Sequence, residues 1–165
     1  MLRRLALGLL LGALPLAACG AEPTLPEEGE CPTPPAEATD TSDAEAYREA
    51  ATRALDRVSS LDQEFMATWD NRDIRELSSF REDYALYSHL MLCATEVALG
   101  LDEPTARFET YHERFTEHFQ RLNAAMEQGR EATASRNRSD YEDWQDEIEE
   151  LMDENRTLAA ELQAM

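Results

Sequence analysis

The sequence predicts an all-α fold, an up-down-up-down four-helix bundle on an N-terminal Pro-rich tether. Three observations carry this. Apolar residues recur three and four positions apart along four stretches of similar length, the pattern of amphipathic helices. The chain has only 6 Gly and 7 Pro in 165 residues, several of those Pro in one early stretch, too few turn formers for an all-β architecture. At 42% hydrophobic residues it has enough apolar material for one core, which separates it from acidic disordered chains. The charge excludes one class of partner. Fifteen Arg and no Lys face 35 acidic residues, a formal charge of -20, so nucleic acid is disfavoured.

The first element, residues 1–18, reads as an address. Met1-Leu2-Arg3-Arg4 is a short basic start, and residues 5–16 form an apolar run too short for a permanent membrane span, the pattern of a secretory signal. Leu16-Ala17-Ala18-Cys19 then resembles the lipobox of bacterial lipoproteins. That resemblance covers residues 1–19 and implies cleavage before Cys19, lipid on its thiol and acylation of the new amino terminus. Two or more acyl chains would hold the chain stably at a membrane. Gly20, where the sorting rule of enteric bacteria would place Asp to retain a lipoprotein, implies the outer membrane. Processing would leave 13 Arg against 35 acids, a formal charge of -22 on the mature chain.

Residues 19–41 form the second element, the lipidated tether. Pro23, Pro26, Pro32, Pro34 and Pro35 stand among Glu, Thr and Ala, which favours extended, hydrated backbone. The bundle follows over 42–165, with helices expected at about 42–70, 72–99, 103–128 and 139–164. Ser42-Asp43-Ala44-Glu45 has the form of a capping box, and Tyr47, Ala51, Ala54, Val58, Leu61, Phe65 and Trp69 make one stripe. In the second helix Leu77, Phe80, Tyr84, Tyr87, Met91, Ala94 and Ala98 make one face. Leu86, Leu90, Cys93 and Val97 make another, and Gly100 provides a left-handed stop.

Asp102-Glu103-Pro104 restarts a helix whose stripe is Phe108, Tyr111, Phe115, Phe119, Leu122 and Met126, with Gly129 closing it and 130–138 as the last connection. Ser139-Asp140-Tyr141-Glu142 repeats the capping pattern. Tyr141, Trp144, Ile148, Leu151, Asn155, Leu158, Leu162 and Met165 then follow as heptads, with Asn155 at a core position. Helices of about 40 Å joined by short links fold back on their predecessors. The acidic g positions Asp140, Glu147, Glu154 and Glu161, with Met152 and Ala159 widening the apolar stripe, place the last helix inside the bundle of a monomer rather than in a parallel dimer.

Candidate chemistry is sparse. Glu109-Thr110-Tyr111-His112 has the Glu-x-x-His spacing of di-iron bundles, but no other His has Glu three residues before it, so the ligand count fails. His112 and His118 flank the third stripe by about 60° at the helical repeat of 3.6, which predicts boundary residues with a wet ring edge. His89, Cys93 and Glu96 are a weak metal set. The stronger expectation is a disulfide between Cys31 and Cys93, the two thiols left after Cys19 is lipidated in an oxidising compartment. No haem-attachment, phosphate-loop, nucleophile-elbow or zincin motif occurs, so no catalytic residue and no cofactor is expected. Anchor, bundle and missing motifs lead to a membrane-tethered acidic module of the bacterial envelope. It is expected to be non-enzymatic and to bind an envelope protein or support an assembly, the alternative being a periplasmic bundle that binds a ligand or metal.

Overall fold

The computed structural model describes residues 31, 41, 43–69, 78–102, 104, 106–135 and 138–165. The expected signal, Cys19, most of the tether and the stretch 70–77 lie outside the described residues. Among those residues the chain forms four α-helices and no strand: α1 (Ala44–Trp69), α2 (Ser78–Leu99), α3 (Glu109–Ser135) and α4 (Arg138–Ala164), with a 3-10 turn at Ala106–Phe108 leading into α3. Each helix packs on its neighbours in sequence, and α4 closes the ring on α1. Start-to-start contacts such as Tyr47 with Phe108 set α1 parallel to α3, and end-to-start contacts such as Phe65 with Phe80 set α2 antiparallel to α1. The result is the expected four-helix bundle, whose core gathers the four stripes.

Three expected helix-end features take a different form in the structure, and α3 starts at Glu109, after the 3-10 turn, rather than near 103. Asp43 is the N-cap of α1, its Oδ1 accepting from the amides of Glu45 and Ala46 at 2.9 Å each. The Ser42 side of the expected capping box lies outside the described residues. Gly100 does follow the end of α2, but without left-handed backbone, and its amide still reaches Glu96 O at 3.0 Å. Gly129 does not close α3, which runs on to Ser135. It is buried, and a Cβ there would overlap the Tyr84 hydroxyl and the Trp144 indole, so the missing side chain is what lets α2 and α4 approach α3.

A polar layer crosses the core between α1, α3 and α4. Asn155 is fully buried and its Nδ2 donates to Leu55 O at 3.0 Å and to Ser59 Oγ at 2.9 Å, tying α4 to α1. Its Oδ1 faces His118 Nε2 at 3.2 Å, tying α4 to α3. His118 is 0% exposed, which corrects the expectation of a wet ring edge. Opposite it α4 supplies two acceptors, Asn155 Oδ1 and Glu154 Oε2, the latter 3.3 Å from Nδ1; the neutral ring, with one N–H, satisfies the Asn155 oxygen, and only the protonated ring would satisfy both.

Candidate functional site

The aromatic residues are concentrated where α1 ends and α2 and α4 begin. Phe65 stacks on Tyr87 at 4.3 Å between centroids, Trp69 meets Phe80 edge-on at 5.4 Å, and Phe80 meets Tyr141 at 5.8 Å. Trp144 contacts Tyr141 at 5.2 Å and Tyr84 at 5.0 Å. A pocket of about 370 Å³ opens among them. From α1 it is lined by Asp62, Phe65, Met66 and Trp69; from α2 by Phe80 and Tyr87; and from α4 by Tyr141, Trp144, Gln145, Ile148, Glu149, Met152 and Arg156. Met66, 37% exposed, is the one large hydrophobic side chain among the described residues left that open.

The polar ends of two of these rings hold acidic groups, of which Asp62 lies on the pocket wall. Tyr87 Oη donates to Asp62 Oδ1 at 3.2 Å, and Trp69 Nε1 donates to Asp83 Oδ2 at 3.0 Å. Burial raises the Asp62 carboxyl above its ordinary range, partly offset by the Tyr87 hydrogen bond and by the charge of Arg156. Burial likewise pushes the Tyr87 phenol well up, so it remains a donor at any ordinary pH. Arg156 is itself paired with Asp153. Deeper in, Tyr84 Oη and Trp144 Nε1 are buried with no hydrogen-bond partner among the described residues, both beside Gly129. An acidic, aromatic recess of this kind can bind and orient a ligand. Among the described residues it pairs no nucleophile with a base.

The residues singled out from the sequence lie elsewhere. Cys31 and Cys93 form a disulfide with Cα atoms 5.2 Å apart, at the far half of α2. His89 Nε2 lies 3.8 Å from Cys93 Sγ and Glu96 Oε2 lies 3.5 Å from Cys31 Sγ, so the weak metal set is brought together around a disulfide that has no thiolate to offer. No group of three His, Cys, Asp or Glu side chains able to hold a metal occurs among the described residues. His112 Nδ1 meets Tyr47 Oη at 3.0 Å between α1 and α3, while Glu109 is exposed. Cys19 lies outside the described residues. No described helix is long and apolar enough to cross a membrane.

Sequence reasoning assigned Phe65, Trp69, Tyr141 and Trp144 to core stripes and gave Asp62 and Met66 no role. The available signal was Asp62-x-x-Phe65-Met66, which puts a carboxylate and an extra apolar residue at the margin of the first stripe. Comparison of the chain with known protein families, characterised proteins and solved structures finds no match.

Proposed function

We propose that this chain is a lipid-anchored, non-enzymatic binding module of the bacterial envelope, held at the outer membrane through Cys19 and facing the periplasm. Its acidic bundle engages an envelope protein at the end where α1 stops and α2 and α4 start. The observation that carries the proposal is the aromatic pocket, with Met66 at its rim, since a concave apolar pocket with a few polar groups is the usual form of a binding site. The anchor rests on the lipobox resemblance. Of the expected tether, the part from Cys19 to Cys31, where the disulfide ties the chain to α2, would let the domain reach a partner away from the lipid surface.

Site-specific photo-cross-linking in intact cells tests the reading. A photoreactive residue at Met66 should give one discrete protein adduct, and the same residue at the exposed Glu131 of α3 should give none. Cys19→Ser should move the protein from the membrane to the soluble fraction and abolish the Met66 adduct. Equal labelling from both positions, or membrane retention of the Cys19→Ser chain, counts against the proposal. The pocket also favours a second reading, a bundle that binds a small ligand, because its volume of about 370 Å³ suits a compact molecule.

A further inference from the structure

Three features of the α1–α2–α4 pocket narrow what could occupy it. Both tryptophans of the chain, Trp69 and Trp144, line it together with Phe65, Phe80, Tyr87 and Tyr141. Aromatic faces carry the negative part of the ring quadrupole and attract cations. Among the described residues the charged side chains on the wall are Asp62, Glu149 and Arg156, a net negative set, and Arg156 is drawn toward Asp153 by an ion pair. The volume lies at the low end of the roughly 300–1,000 Å³ seen for small-molecule sites, enough for a compact ligand and too little for a helix.

We infer that this pocket binds a small organic cation, an alkylated ammonium group whose charge lies among the rings and beside the Asp62 carboxylate. Alkylation matters to the argument. A bare ammonium is strongly hydrated and would need several acceptors to replace its water, whereas Asp62 Oδ1 already accepts from Tyr87 and much of the wall is apolar. An alkylated ammonium has less hydration to lose and presents carbon to Ile148 and Met152 while its charge acts at longer range. The inference rests on the pocket being a binding site and requires neither the lipid anchor nor the protein partner.

Because the chain's two tryptophans both line the pocket, intrinsic fluorescence of the full chain in detergent reports on it. Choline is the probe, and 3,3-dimethyl-1-butanol, which replaces its nitrogen by carbon, is the neutral control of the same shape. Choline should give a saturable change with at least about tenfold tighter binding than the alcohol, the scale of a desolvated cation–π contact. Asp62→Asn, which keeps an acceptor for Tyr87, should weaken choline by about tenfold, and Arg156→Gln should tighten it by about threefold, on the scale of a screened charge at close range. The second variant guards against misfolding, because a damaged pocket does not gain affinity. Equal binding of choline and the alcohol, no saturation, or tighter binding of acetyl-arginine amide than of choline would overturn the inference. Choline binding without a Met66 adduct removes the protein partner and keeps the cation site; an adduct without choline binding does the reverse.

Discussion

Gly129 and His118 show how far a single position departs from its appearance in the sequence. Glycine in a helix interior costs about 1 kcal/mol relative to alanine, so Gly129→Ala would stabilise an exposed helix. Here the new Cβ would lie 2.5 Å from Trp144 Nε1 and 2.6 Å from Cε2, against rings already buried. Overpacking of this kind costs about 1–3 kcal/mol, which exceeds the propensity gain. The variant should therefore unfold at lower denaturant concentration, with about 1–2 kcal/mol lost. A gain in the chemical-denaturation midpoint would show that α2 and α4 can retreat from α3.

His118 makes stability depend on pH, and its neighbours fix the sign. The Asn155 amide donates to Leu55 O, so Oδ1 is the atom that accepts from His118 Nε2–H. Burial lowers the His118 pKa below its ordinary 6.5, only partly offset by Glu154, which is shared with Arg121 at 2.9 Å. The unfolded chain then takes up the proton first. Stability is full above about pH 6.5 and declines as pH falls toward the lower folded value. Thermal unfolding between pH 7.5 and 5.5 should show this decline, and His118→Gln should flatten it; an unchanged slope in the variant would place the proton uptake elsewhere.

At the scale of elements, the helices were legible where one face alone is buried. The α1 stripe and the α4 heptads could be read because their apolar positions return every three to four residues, and both lie in the core. The end of α3 was not legible, since a glycine read alone signals a stop and its packing against Tyr84 and Trp144 comes from two other helices. The pocket was hidden for a related reason. It forms where stripes from three helices diverge, so Asp62, Met66 and Glu149 at their margins matter as much as the core rings. The disulfide could be read from an expectation about compartment and from the two thiols left once Cys19 is set aside.

That disulfide closes a loop with a sequence separation of 62, which takes in all of α1. By the chain-entropy argument it stabilises by about 4 kcal/mol, through restriction of the unfolded chain. Cys93→Ser should lower Tm by roughly 10 °C or more, and reductant should do the same to the parent while leaving the variant unchanged. Equal Tm values with and without reductant in the parent would mean that the link adds no stability.

For the whole molecule, the question is how a chain of charge -20 stays compact. Part of the answer lies between α3 and α4. Arg114 grips Glu161 at 2.7 Å and Arg121 bridges Glu154 and Glu150, so acids at the margin of the α4 heptads find their partners within the chain. These pairs are partly exposed and each is worth at most about 1 kcal/mol. With more than twice as many acids as arginines, repulsion exceeds what they return. At 0.01 M ionic strength the screening length is about 30 Å, close to the length of a helix, so acids across the bundle repel one another; at 0.1 M it is about 10 Å, the spacing of neighbouring helices. Stability should thus rise with salt, by several °C in Tm between about 0.01 and 0.5 M sodium chloride, with most of the gain below about 0.15 M. The same repulsion opposes self-association, so sedimentation should find a monomer and the gain should not depend on protein concentration. A Tm that falls with salt would assign the ion pairs the larger share of stability, and a gain that grows with protein concentration would reveal a dimer formed as the charge is screened.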